Sequence, residues 1–426
     1  MTSPDNDPIS QDRQRNRWGI YALMVAVFGV GTAEYVIAGI LPELASDLDV
    51  TVPQAGQLVT AYALAVVFGG PLLTAATAKL DRFKVLQVLL VVFLLGNVLA
   101  ATAPSFAVLI IARIISASAH STLFAIALVL ATTLAPAGRE SSAIAKVALG
   151  LNLATVMGVP IGTQIGLVAG WRATFVFVAS ATALALVLVS AAVRVKSSNR
   201  SSGSVFGEFR VLKSRDVRLA MLVTVLGQTG LFTFYTYVTP YLTDVSGVDA
   251  GSVVWILLLF GAGGALGNII GGRMADRDLL GSLVLLLTSG TVVMILLGSL
   301  GGLPGPAVLF VFLLGVTGFA VIPALQTRII SSAGDSPTLA LALNISAFQI
   351  ANALGAYLGG TAIGGRLGIG ATPFIGAATT AVATIVALAI WRTSRVRRAR
   401  TGRLPTEGVP ADSGPRQREG ADDASS

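Results

Sequence analysis

Twelve long apolar runs divide this chain, most of them close to the roughly twenty residues that an α-helix needs to cross a bilayer. They fall at about 18–40, 54–76, 85–103, 106–134, 142–168 and 171–193 in the first half, and at 217–242, 252–272, 280–300, 307–330, 339–363 and 369–391 in the second. Backbone polar groups in lipid must be satisfied within their own segment, so runs of this length read as helices. With 12% charged residues against an average near 25%, and a mean hydropathy of +0.80, the composition agrees. The expected fold class is an all-α membrane protein of twelve transmembrane helices.

Charge sets the orientation. Of 29 Lys and Arg, all but Arg113, Arg172 and Arg366 lie in the tails or in alternate loops. The intervening loops carry Glu43, Asp47 and Asp49, or Asp244 and Asp249, with almost no Lys or Arg. By the positive-inside rule both termini and the central linker are cytoplasmic, in a multi-pass protein of the inner cell membrane. The net charge of +8 thus follows from topology, with no basic, aromatic-interleaved face for nucleic acid. Residues 1–17 lack an apolar core with a small-residue cleavage site, so the expectation there is a cytoplasmic tail and not a signal peptide. Residues 194–216 read as a cytoplasmic linker and 393–426 as a disordered tail. Between them stand six-helix units at 18–193 and 217–392.

The two units repeat one another. Asp81-Arg82 after span 2 is echoed by Asp276-Arg277 after span 8; Pro42 in span 1 by Pro240 in span 7; Gly158 and Gly162 in span 5 by Gly355 and Gly359 in span 11. Parallel repeats of this kind are a transporter architecture, with a site between the halves near the midplane. Glycines at four-residue spacing, with Pro160 as a kink, mark spans 5 and 11 as the expected contact between halves and as gating elements.

Within span 1 stands Glu34, in GTAEYVIAGILP. A lone carboxylate in hydrocarbon costs about 2.5–3.5 kcal/mol on insertion scales and marks function by default. Its counterpart in span 7 falls near Phe232, so the acid belongs to one half alone. Arg113 in span 4 lies at a similar depth and is the expected partner, in a pair that lets Glu34 lose and regain a proton. The competing reading is a static ion pair. His120, seven residues on and on nearly the same face, suits substrate binding, proton relay or a plain interhelical hydrogen bond.

Amides and aromatics give the expected substrate lining: Tyr35, His120, Asn152, Gln228, Phe232, Tyr235, Gln326, Asn344 and Asn352. Gln349 is a further amide of span 11. Alternating aromatics and hydroxyls in span 7 suit an uncharged, partly apolar ligand, while an interfacial belt accounts for Tyr241 and Tyr237. With no cysteine and one histidine, disulfides, thiolate chemistry and a His-based metal site are outside the expectation, and so is a cofactor. A membrane hydrolase needs a Ser/His, Asp/Asp or metal constellation that one His and one acid do not supply. A sensor would bring a soluble domain, for which neither tail has the length. The expectation is therefore a transporter and not an enzyme.

The chain resembles the major facilitator superfamily, in its twelve-span drug:proton antiporter group and the arabinose-efflux-permease and chloramphenicol-resistance branch. The resemblance rests on GTAEYVIAGILPELASDLDV, VPQAGQLVTAYALAVVFGGPLLTA, LDRFKVL, LIIARIISASAHS, GVPIGTQIGLVAGWRATF and LALNISAFQIANALGAYLGG. It implies a coupling role for Glu34, proton transfer at Arg113, a cytoplasmic lock against span 11 at Asp81 and Arg82, and an antiporter motif at Gly158, Pro160 and Gly162. Phe83 leads directly to Lys84-Val85 where the usual loop has Gly and Arg after Asp-Arg-x, Ala117 stands where span 4 usually has Gly, and span 5 reads GVPIG for the usual Gly-Pro-x-x-Gly-Gly. The implied protein is a monomeric, proton-coupled exporter of small uncharged molecules such as chloramphenicol, with sugars or nucleosides as the alternative cargo. Its partners would be lipid, substrate and protons.

Overall fold

The computed structural model describes residues 8–77, 80–136, 139–193, 214–332 and 337–401. Among them, eleven helices are long and apolar enough to cross a bilayer, and the helix Pro337–Gly364 takes the remaining place of span 11. Span 1 is two helices, Pro8–Tyr35 and Ile37–Asp47; span 5 is Glu140–Leu153 and Val159–Ala169 around a π turn; span 7 is Arg215–Tyr235 and Val238–Asp244.

Helix starts follow their caps. Thr51 and Gln54 form a reciprocal capping box at the start of span 2. Asp81, Ser105, Ser214, Asp249 and Asp278 each accept a first-turn backbone N–H at spans 3, 4, 7, 8 and 9. The first helix begins at Pro8 and the last runs to Thr401. The last helix thus runs into the C-terminal segment expected to be disordered from 393. Residues 1–7, the linker over 194–213 and the tail over 402–426 lie outside the described residues.

Each half packs its own core. Leu23, Val27, Phe93, Leu123 and Val189 anchor the first; Leu287, Ala324, Leu325 and Ala383 anchor the second. Outward-facing Val88, Leu95, Val187, Leu285, Val292 and Ile385 are exposed. Such an apolar girdle is untenable in water and ordinary in lipid.

The halves meet at the midplane and toward the face opposite the termini. Tyr237 of span 7 is fully buried, donates to Ala356 O at 2.8 Å and lies against Gly56 of span 2 and Gly359 and Gly360 of span 11. A Cβ at Gly56 would overlap the Tyr237 hydroxyl, so only glycine admits the ring. Thr60 Oγ1 reaches Ala353 O at 3.4 Å, and Thr239 Oγ1 donates to Ala38 O at 2.7 Å. That last bond has a local cause: Pro42 has no N–H, so the Ala38 carbonyl loses its helical donor and takes the hydroxyl from the other half.

The glycine seams correct an expectation. Gly158 and Gly162 pack against Thr32 and Val36 of span 1, and Gly355 and Gly359 against Phe232 and Tyr237 of span 7. Both seams are internal to a half. Four-residue spacing specifies a flat face for close packing, and span 1 or span 7 is the nearest helix to fill it. Among the described residues, the glycines that do face across the halves are Gly56, Gly360 and Gly364, the last two by Pro53, and Gly261, against Thr155 and Val156.

Candidate functional site

Glu34 is 4% exposed, in the last turn of the first helix of span 1, just before the break at Val36. Its Oε1 accepts a hydrogen bond from Gln349 Nε2 of span 11 at 2.8 Å. Its Oε2 faces His120 Nε2 of span 4 at 3.8 Å. The other imidazole nitrogen, Nδ1, is 3.0 Å from the Tyr62 hydroxyl of span 2. With Tyr62 donating to Nδ1, Nε2 bears the hydrogen directed at Glu34. A carboxylate, an imidazole, a phenol and an amide from spans 1, 4, 2 and 11 thus form one buried chain.

Arg113 corrects the expected ion pair. It is 1% exposed and level with Glu34, but its Nη1 donates to Ala33 O at 2.7 Å and its guanidinium lies 4.0 Å above the Tyr62 ring. Between described residues it makes no ion pair within 4.0 Å, and its Nε and Nη2 have no hydrogen-bond partner. Equal depth fixed the level and not the azimuth: the Ala33 carbonyl and the Tyr62 face are what the guanidinium meets. Among the described basic side chains, the one within 4.0 Å of the Glu34 carboxylate is His120.

Beside Glu34, Tyr35 stacks on Phe232 at 6.4 Å and meets Tyr235 edge-on at 6.4 Å. Tyr235 stacks on Phe260 at 4.7 Å, and Phe260 meets Phe319 at 5.9 Å. This aromatic row runs from the acid into the second half. Phe260 and Phe319 were not among the expected lining residues; nothing in an apolar run marks one Phe from its neighbours.

The expected amides divide. Gln228 is buried and donates to Gly318 O at 3.3 Å; Asn344 accepts from Thr224 at 2.9 Å; Asn152 accepts from Asn268 across the halves at 3.3 Å. Asn352 is buried. Gln326 is exposed toward the termini end of span 10 and does not join the site. Tyr237 and Tyr241, expected in an interfacial belt, are buried within the bundle, with the Tyr241 hydroxyl on Leu297 O at 2.9 Å.

Of the expected gating residues, Asp81 caps span 3 through the Lys84 N–H at 3.0 Å, and Arg82 forms no ion pair with another described residue. Asp276 and Arg277 are exposed at the end of span 8. Pro160 stands just beyond the π turn Ala154–Gly158, whose irregular backbone meets Gly261. On the face opposite the termini, Gly170 adopts φ +83°, a turn that favours glycine. Trp171 Nε1 then donates to Asp47 at 2.9 Å, and Arg172 pairs with the same carboxylate and with Ala103 O. Hydrogen bonds from Trp171 and then Arg172 hold the Asp47 carboxyl below its ordinary range.

A family model described as the Major Facilitator Superfamily matches residues 23–338. The inner membrane transport protein YdhP of Escherichia coli strain K12 is 35% identical, over 86% of this chain and 94% of its own length. The chloramphenicol resistance protein of Streptomyces lividans is 32% identical, over 82% of this chain and 90% of its own. Among solved structures, the inward-facing, unoccupied bacterial homologue of the human lysosomal transporter Spinster superposes with a TM-score of 0.72, at 16% identity, over 89% of this chain and 97% of that one.

Proposed function

The chain belongs to the Major Facilitator Superfamily, and from that membership we propose a proton-coupled exporter of small, largely uncharged molecules, antibiotics of the chloramphenicol kind among them. The observation that carries the reading is Glu34: a buried carboxylate on the seam between halves, hydrogen-bonded to one half and seated in the other. A group so placed can exchange a proton and respond to the opening of the seam. The cytoplasmic face is taken as the termini end, in keeping with the basic loops. The structure is then closed toward the outside, and Glu34 would release its proton inward as cargo binds.

The aromatic row from Tyr35 to Phe319 supports an apolar or aromatic cargo. Gln228, Asn152 and Asn344, the amides that would hold a sugar, already bond within the protein. Resistance carried by the Streptomyces lividans relative adds support for a drug. Alternating access is rocking of the halves about this site.

The test is a drug panel on cells overexpressing the protein, with and without an uncoupler, beside Glu34→Gln. Wild-type cells should tolerate several-fold more drug, and the uncoupler or Glu34→Gln should remove that tolerance while leaving drug binding in place. Efflux driven by a pH gradient at the wild-type rate in Glu34→Gln would overturn the coupling assignment.

A further inference from the structure

Two side-chain to side-chain hydrogen bonds join the halves among the described residues. Asn268 to Asn152, at 3.3 Å, links two half-buried neutral amides. Gln349 to Glu34, at 2.8 Å, is fully buried and has an ionisable acceptor. We propose that this second bond is a proton-controlled latch: ionised Glu34 grips Gln349 and keeps the empty carrier from reopening the closed face, and protonation loosens the grip.

The physical basis is the acceptor's charge. An N–H bond to a carboxylate is roughly twice as strong as one to a neutral oxygen. Gln349 has no other hold on the site, since its Oε1 is buried without a partner. Once Glu34 is protonated, its O–H can be received at Oε1 only after the amide turns over, and then as a neutral bond. The groups facing Glu34 that carry or exchange charge are Arg113 and His120 from span 4, Tyr62 from span 2, Tyr35 from its own span and Tyr235 from span 7. All of these except Tyr235 belong to the same half as Glu34, so Gln349 carries the acid's state across the seam by a direct hydrogen bond.

The latch rests on the coupling reading and supplies what antiport requires of it. An empty, ionised carrier that turned freely would take up a proton outside and carry it in without cargo. Cargo releases the latch by position: a molecule wedged between Tyr35 and Phe232 pushes the neighbour of Glu34 from Phe232, and Phe232 packs on Gly355 of the same span as Gln349. Gln349 is a positioning residue in this scheme, since it acts through Glu34.

Gln349→Met keeps the length of the side chain and removes both polar ends. In liposomes with acid outside, a trapped pH dye and no drug, proton entry should be several-fold faster in Gln349→Met than in wild type, with no such increment when Glu34→Gln is also present. Equal leaks in wild type and Gln349→Met, or an increment that survives in Glu34→Gln, would overturn the latch. Absence of drug-dependent proton movement in the wild type overturns the coupling reading itself, and the latch with it. A second measurement leaves Gln349 in place. The sequence has no cysteine, so Ala356→Cys, buried on the closed face, reports alone to an impermeant maleimide. Labelling should quicken several-fold on acidification with Glu34 present and stay fast at all pH values in Glu34→Gln; labelling independent of pH with Glu34 present would reject the proposal.

Discussion

A carboxylate that would cost about 2.5–3.5 kcal/mol in open hydrocarbon is held here by an amide from one half and an imidazole from the other. Glu34 was legible in the sequence because an acid in an apolar run is rare. Its partners were not. Arg113 shares its depth but points at the Ala33 carbonyl, and Gln349 is one of several span 11 amides, of which only the three-dimensional fold selects one. Thr239 shows the same logic in a smaller bond. It supplies the donor that Pro42 denies to Ala38, so Thr239→Val should leave that buried carbonyl unpaired and cost about 1–3 kcal/mol. The thermal midpoint of the purified protein should fall, and more than it falls for Thr243→Val, whose hydroxyl bonds only locally; equal midpoints would remove Thr239 from the seam.

At the scale of helices, hydropathy located every span, because the bilayer imposes length and apolarity together. Breaks were harder to place. Pro160 announced one, and the structure realises it as a π turn that ends two residues upstream; the break at Val36 has no proline of its own and follows from Pro42 and the seam. Spans 5 and 11 do meet the other half, at spans 8 and 2, but glycine spacing did not tell which helix each glycine faces: Gly158, Gly162, Gly355 and Gly359 turn to spans 1 and 7 of their own halves. The clasp of Asp47 with Trp171 and Arg172 ties span 1 to span 6. Its carboxyl is held below the ordinary range by those bonds, so its contribution is present above the unfolded value near pH 3.9 and is lost as pH falls through the lower folded value. Asp47→Asn should therefore melt earlier than wild type at neutral pH, with the gap closing in strong acid; a gap that does not change with pH would show that the charge is not what holds the clasp.

The whole molecule is two bundles, each with a core of its own toward the termini, joined by apolar clusters that both halves share. Its repeat was legible from paired motifs, since each half solves the same packing problem with the same punctuation. Which face was closed was not legible, because both facings must be written in one sequence. The closed face is made mostly of apolar contact: the Tyr237 ring against Gly56, Gly359 and Gly360, with Pro53 beside Gly360. The only polar atom of that ring bonds Ala356 within its own half. Closure there is consequently a small hydrophobic condensation, and it inherits the thermal character of one. Apolar burial weakens on cooling, so chilling should tip the balance toward the open face without any change of proton or cargo. The Ala356→Cys label, measured from warm to cold at constant pH and corrected for the intrinsic reagent rate, should react relatively faster in the cold. The temperature of the membrane would thus act on this carrier as a further ligand, one that needs no binding site.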